Sequence, residues 1–508
     1  MLSQVDGKGR ALGYGESAYI PAVNGGSVTL TIDASIQSFA EQAAREALTV
    51  NNAKAVRVLA MDPATGEILA MVSKPDFDLN DPPRNDVAEL TERLRNRTIT
   101  DAYEPGSTFK VLTAASALDA GLVRVNEGFY CAGSVVVDGG KIRCWGKPHG
   151  AETFAQALQN SCNPVFVEMG LRLGVERFYK YLDAFGIGQK TGVDIPGEGA
   201  GIVIAKRAVK RVDIARVGFG QSVAVTPLQL LTAVCAVING GDLLTPYVVK
   251  AVRDADGNVI EAGERRVVGH PISGETSATM RALLEDVVTL GGGKNAYIPG
   301  YRVGGKTGTA QVYVDGVVSR DTHIGSFVGF APADDPRIAV ILIVDEADVP
   351  VDYGSVTAAP YAREILERSL VYMGVAPETD APPAGKATVP DVTGMAVDAA
   401  RSALSDAGFD SVLDGEGGAV KAQLPVAGTE ANAGALVMLY VDGAVPDDGT
   451  TVAVPDVAGM PVMEANRLLR SYGFELEVEG SGLAVGQSPA AGELANPTAR
   501  VRVKFEPP

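Results

Sequence analysis

The chain has 508 residues, a formal net charge of −18, 46% hydrophobic and 21% charged residues, 59 Gly, 29 Pro, 4 Cys and 3 His. These are globular values that exclude wholesale disorder and collagen-like structure, and the length points to about three domains. The acidic balance, with Lys and Arg scattered along the chain, argues against a nucleic-acid partner, and without a CxxC or HxxH pair neither a metal nor another cofactor is expected.

Residues 1–27 are Gly-rich and weakly patterned. The first apolar run, Val28 to Ile32, is far short of the roughly 20 residues of a spanning helix, so on composition alone the chain reads as soluble. Val28, Leu30 and Ile32 alternate with Thr29 and Thr31 as a half-buried strand does. Asp33 is placed to cap a helix carrying Ile36, Phe39, Ala40, Ala43, Ala47 and Leu48 on one face. A hairpin follows, Val56 to Met61 and Ile68 to Val72 about the turn that begins Asp62-Pro63. Leu228 to Ile238 reads as an apolar helix, and Ser326 to Phe330 with Ile338 to Val344 as a second strand pair. Strands at both ends with helices between them predict an α/β (α+β) domain over residues 28–375.

Residues 376–387 have the Pro and polar content of a linker. Beyond it Val389-Pro390-Asp391-Val392 returns as Val454-Pro455-Asp456-Val457, an offset of 65 (454 minus 389). Ala400 and Leu404 recur as Ala465 and Leu469, Gly408-Phe409 as Gly473-Phe474, and Gln423 as Gln487. Residues 388–442 and 452–508 are therefore two copies of one small domain joined by a linker at 443–451, each reading as an extended Pro start, a short amphipathic helix and two strands.

Ser107-Thr108-Phe109-Lys110 follows Pro105-Gly106, a turn placed to begin a helix. Positions i and i+3 of a helix share a face, so Lys110 is set beside Ser107. A serine hydroxyl becomes a nucleophile when a base takes its proton, and a buried lysine can be that base. A helix start also offers backbone N–H groups to a developing oxyanion. Taken alone, Ser-x-x-Lys far more often marks a capping serine and a solvated lysine. Two later motifs reverse that weighting: Ser161-Cys162-Asn163, whose short polar side chains can relay a proton and hold Lys110, and Lys306-Thr307-Gly308-Thr309. In the latter, Lys306 supplies positive charge, the threonine hydroxyls can hold a carboxylate, and Gly308 leaves no side chain in a substrate's way.

With these three motifs in this order, residues 28–375 resemble the transpeptidase domain of class B penicillin-binding proteins. Thr31-Ile32-Asp33, Pro75-Asp76-Phe77-Asp78, Gly220-Gln221, Thr226-Pro227-Leu228-Gln229 and Phe327-Val328-Gly329-Phe330-Ala331-Pro332 belong to the same resemblance. It implies a β-lactamase-like fold, an antiparallel sheet flanked by helices. The repeats resemble PASTA domains, which accompany these enzymes in Gram-positive bacteria. The match is nearest to the sporulation and division type.

The resemblance implies that Ser107 attacks the penultimate D-alanine carbonyl of a stem peptide ending in D-Ala-D-Ala, with Lys110 as base. It places the backbone N–H groups of Ser107 and Thr309 in an oxyanion hole and makes Ser161 and Lys306 a proton path. Asn163 would position Lys110, and Thr307 and Thr309 would bind the terminal carboxylate beside Gly308. An amine of a neighbouring stem would resolve the acyl-enzyme, and β-lactams would stop at it. A D,D-carboxypeptidase or serine β-lactamase, in which water resolves the acyl-enzyme, is the alternative within catalysis; a non-catalytic wall-binding scaffold is the alternative outside it.

Cys162 and Cys235 read as small buried hydrophobes. Cys131 and Cys144 flank a hairpin signal at Val135–Ile142 that can bring them to bonding distance, and relatives of the sporulation type carry a pair there, which implies a redox pair near the cleft. His149, His270 and His323 read as structural. The repeats read as spacers or partner contacts rather than ligand pockets. The resemblance further implies a separate SEDS-type glycosyltransferase and other wall-synthesis proteins as partners. It implies work on the outer face of the membrane, with residues 1–27 the end of a pedestal and the missing anchor a truncation.

Overall fold

The computed structural model describes residues 25–314, 317–378, 386–407, 409–414, 418–424, 426–432, 436–441, 452–460, 462–471, 474–480, 482–495 and 500–506, with Leu2–Ser3, Lys8 and Ser17–Ala18. Most of the expected pedestal segment 1–27, most of the linker 376–387 and all of the linker 443–451 lie outside the described residues. The chain divides into two compact units, Met1–Pro377 and Glu378–Pro508.

The first unit is built on α1 (Ala34–Val50), β1 (Ala55–Met61), β2 (Ile68–Lys74), α2 (Lys110–Asp119), α3 (Asn163–Ala184), α4 (Pro227–Ile238), β3 (Gly304–Val314), β4 (Val317–Ala331), β5 (Ile338–Asp345) and α5 (Ala359–Tyr372). The Asp33 carboxylate accepts from the Ser35 and Ile36 N–H groups, which starts α1 where the sequence places it. The strands form one sheet in the order β3-β4-β5-β1-β2, every neighbouring pair antiparallel. β5 is apolar on both faces because both are covered. Val340, Leu342 and Val344 pack with α1 and α5, while Ala339, Ile341 and Ile343 pack with α2 and α4. Helix α4 is buried at every position, which is why it reads as apolar all round rather than as a stripe. The fold is thus the sheet with helices on both faces that the sequence predicts.

One element differs from expectation in detail. Ser107 lies in a single 3-10 turn, Gly106–Phe109, and α2 begins only at Lys110. Gly106 has φ +54°, and Gly220 packs so closely against it that a Cβ on Gly220 would lie 1.9 Å from the Gly106 carbonyl oxygen. A Gly106–Gly220 contact therefore fixes the turn that carries the serine.

In the second unit, the first repeat has a helix, Val397–Asp406, then Asp410–Asp414, Ala422–Leu424, Glu430–Asn432 and Leu436–Tyr440. Leu436–Tyr440 lies between the other two strands of its sheet, parallel to Asp410–Asp414 and antiparallel to Ala422–Leu424. The second repeat repeats that order with Glu475–Gly480, Arg500–Glu506 and Leu483–Ser488. Each copy therefore holds more strands after its helix than the pair the sequence suggests. Gln423 shows why the repeat keeps its glutamine: its Oε1 accepts from the Val392 N–H and its Nε2 donates to the Pro390 carbonyl. Gln487 does the same with Val457 and Pro455. Phe409 and Phe474 are buried core residues and offer no ring to a ligand.

Candidate active site

The three motifs come from separate elements and meet at one cleft of about 830 Å³, lined among others by Ser107, Ser161, Asn163, Thr307, Gly308 and Thr309. Lys110 and Lys306 lie beneath its floor, 0% and 1% exposed. The Lys110 Nζ is 2.7 Å from the Ser161 carbonyl oxygen, 2.7 Å from Asn163 Oδ1 and 3.1 Å from Ser161 Oγ. Lys306 Nζ reaches the same Ser161 Oγ at 3.0 Å and the Thr307 carbonyl at 3.1 Å. One hydroxyl thus joins two buried amines.

Ser161 presents both its oxygens to Lys110 because it sits at φ +54°, the left-handed region that a residue with a Cβ rarely adopts. Cys162 then caps α3, and Asn163 opens it with Pro164 in the first turn. Asn163 Nδ2 donates to the Arg143 carbonyl at 3.1 Å, so its Oδ1 is left facing Lys110.

Burial pushes the Lys110 ammonium down to about 7. Burial, and then the charge of Lys110, hold Lys306 well below the ordinary lysine range. Two ammonium ions sharing one hydroxyl in a dry floor repel each other, which favours a neutral amine at neutral pH. Two acceptors of Lys110, the Ser161 carbonyl and Asn163 Oδ1, can only accept; they match the two N–H bonds of a neutral amine. When that amine takes a proton, Ser161 Oγ is already in place as third acceptor.

β3 lies beside the serine turn as the edge strand of the sheet. Gly308 is required there by packing. A Cβ at 308 would lie 2.5 Å from Ser326 Oγ, 2.9 Å from Thr108 Cγ2 and 3.0 Å from the Pro105 carbonyl. Gly308→Ala is therefore expected to push β3 off the serine turn, costing about 1–3 kcal/mol of stability and slowing acylation about 100-fold, read by stopped-flow β-lactam acylation alongside thermal melting. Thr307 and Thr309 are half-buried at the cleft, and Thr309 Oγ1 accepts from the Gly354 N–H at 3.2 Å.

Sequence reasoning missed the walls. The Trp145 indole donates to the Asn160 carbonyl at 2.8 Å and meets Tyr353 edge-on at 6.5 Å across the cleft. Lys141, Arg143 and Arg216 also line it. His323, read as structural, also lines the cleft, with Nδ1 2.6 Å from Asp352 Oδ2. No spacing in the sequence links these residues.

The cysteines also lie differently from expectation. All four are free thiols. Cys131, Cys144, Cys162 and His149 converge, their donor atoms all within 4.8 Å of one another. The expected Cys131–Cys144 pair is thus brought together, but Cys162 is not a mere filler. Its thiol hydrogen-bonds Cys144, which holds the Cys144 thiol well below the ordinary thiol range and pushes Cys162 above it. Cys235 is buried in α4 as expected.

The penicillin binding protein transpeptidase domain family matches residues 56–367, and the PASTA domain family matches residues 387–443 and 452–507. The chain is 40% identical over 446 residues to stage V sporulation protein D of Bacillus subtilis, covering 86% of this chain and 68% of that protein. It is 34% identical over 358 residues to the penicillin-binding protein PbpB of Mycolicibacterium smegmatis, covering 68% of this chain and 54% of the relative. Against the probable peptidoglycan D,D-transpeptidase PenA of Neisseria flavescens identity is 32% over 360 residues, covering 70% of this chain and 84% of the relative. Among solved structures, penicillin-binding protein 3 of Mycobacterium tuberculosis complexed with aztreonam superposes with a TM-score of 0.66 at 29% identity, covering 74% of this chain and 88% of that one. Among the described residues no helix is long and apolar enough to cross a membrane. The motif geometry, the sheet and these similarities together place the chain in the penicillin-binding-protein transpeptidase family, with two PASTA domains following the transpeptidase domain in sequence.

Proposed function

We propose that the chain is a peptidoglycan D,D-transpeptidase that works through an acyl-enzyme on Ser107. The observation that carries this reading is the convergence of Lys110 and Lys306 on the Ser161 hydroxyl beneath the serine turn. Neutral Lys110 takes the Ser107 proton as Oγ attacks the penultimate D-alanine carbonyl of the donor stem. The ammonium so formed has three acceptors in place: the Ser161 carbonyl, Ser161 Oγ and Asn163 Oδ1. The carbonyl oxygen becomes an oxyanion received by the N–H groups of Ser107 and Thr309. As the C–N bond to the terminal D-alanine breaks, a proton passes through Ser161 Oγ and Lys306 to the departing amine. Thr307 and Thr309 hold the terminal carboxylate. The amine of an acceptor stem then attacks the ester, forms the cross-link amide and returns the proton to Ser107. β-Lactams enter the same path and stay bound, because their leaving nitrogen remains tethered in the cleft.

The domain limits proposed are 28–375 for the transpeptidase and 388–442 and 452–508 for the repeats, which act as spacers or partner contacts. The stem-peptide substrate puts the work on the outer face of the membrane, beside a SEDS-type glycosyltransferase that supplies glycan strands.

Titration with a chromogenic cephalosporin tests the reaction type. A burst of about one equivalent followed by slow turnover is expected of an acyl-enzyme awaiting an amine. Sustained fast turnover would make the protein a hydrolase instead.

A further inference from the structure

Cys131, Cys144, Cys162 and His149 form a donor set that the reaction does not use. Cys131 ends the strand Gly128–Cys131, paired with Gly150 one residue beyond His149. Cys144 follows the strand Gly140–Arg143, and its N–H is held by the Gly133 carbonyl at 2.9 Å. Cys162 stands at the start of α3, where the helix favours an anionic group. The three thiols are buried and the imidazole is half-buried. Cys144 Sγ lies 3.9 Å from His149 Nδ1.

A second observation points to a cation. The Glu152 side chain is 2% exposed and places Oε1 3.8 Å from His149 Nδ1. That oxygen is buried, with the His149 ring and the weakly donating Cys162 thiol as its neighbours. A buried carboxyl oxygen beside three thiols and an imidazole adds an electron-rich group to the same donor cluster, which suits a metal ion.

We propose that this cluster is a Cys₃His site for a borderline-soft divalent cation, with zinc as the ion its ligands favour. Three sulfurs and one imidazole nitrogen are the donor set of closed, tetrahedral zinc sites. Zinc bonds of about 2.3 Å to sulfur and 2.0 Å to nitrogen hold donors about 3.5–3.8 Å apart. Donors already within 4.8 Å of one another reach that geometry by small side-chain rotations. Glu152 Oε1 faces the same His149 Nδ1 as Cys144 Sγ does, so it borders the cluster on the ligand side rather than backing the imidazole. The site is structural, and its effect on the cleft follows from Cys162, which lies between Ser161 and Asn163, the two residues that hold Lys110. A metal there pins that segment to the strand bearing Arg143. The site stands on its own donors and does not depend on the reaction proposed above.

The test is metal analysis of the whole chain, expressed with zinc and purified anaerobically under a phosphine reductant. About one zinc per chain is expected, with Cys131→Ala and Cys162→Ala each losing it and Cys235→Ala keeping it. Titrating metal-free protein with Co²⁺ is expected to give the intense visible bands of tetrahedral thiolate coordination, saturating at one equivalent. Tm is expected to rise by about 5–10 °C on binding. Wild-type protein that still binds penicillin, and is therefore folded, yet holds no zinc and gives no cobalt bands would overturn the proposal. Loss of metal from Cys235→Ala, or its retention in Cys162→Ala, would overturn it as well.

Discussion

Ser107→Ala abolishes covalent labelling by a fluorescent penicillin, a loss of at least about 10⁴-fold in acylation rate, while leaving the fold and its melting temperature near those of the parent. The serine is half-buried at the mouth of the cleft, so removing one oxygen creates little cavity and strands no buried partner. The turn that presents it is fixed by Gly106, Gly220 and the neighbouring Gly308, none of which the substitution touches. Residual non-covalent binding is expected, because Thr307 and Thr309 remain to hold a carboxylate. Labelling of the alanine variant at the parental rate would mean that another nucleophile acts.

The second large effect is at Lys110. Lys110→Met keeps the volume of the buried stem and removes the base, and acylation is expected to fall about 10²–10⁴-fold. Lys110→Arg is expected to fall as far for a different reason, since a guanidinium stays protonated and accepts nothing. The parental pH profile carries the sign of the argument. Burial lowers the Lys110 pKa to about 7, and only the neutral amine accepts a proton. Acylation is therefore expected to rise about tenfold per pH unit below 7 and to level off above it. A rate that keeps climbing to pH 10 would show a lysine at its ordinary value and remove it as the base at neutral pH. Melting curves of both variants separate lost chemistry from lost structure.

The spacing that made these residues legible is local. Ser-x-x-Lys, Ser-x-Asn and Lys-Thr-Gly each lie within one turn or strand, so their identities survive reading along the chain. The same is true of Asp33 ahead of α1 and of the apolar runs on β1, β4 and β5, because run length and capping are local rules. What a linear reading misses is set by crossings. His149 and Cys162 are 13 residues apart (162 minus 149), and only the pairing of Gly128–Cys131 with Gly150–Thr153 brings both to Cys131. No short motif encodes that set. The packing need at Gly308 is not legible either, because its neighbours Ser326, Thr108 and Pro105 come from other segments of the chain. In the repeats, the alternation of strands was readable, but not that the last strand inserts between two earlier ones. Trp145 and Tyr353 meet across the cleft from loops with no period to mark them.

The central claim is that Ser107 forms the acyl-enzyme, and peptide mapping by mass spectrometry after brief exposure to benzylpenicillin tests it most directly. Trypsin cuts after Arg97 and Lys110, which places Ser107 on the peptide Thr98–Lys110. A single penicilloyl adduct on that peptide, assigned by fragmentation to Ser107, is the predicted result. An adduct elsewhere, or none on protein whose melting curve shows it folded, would contradict the account.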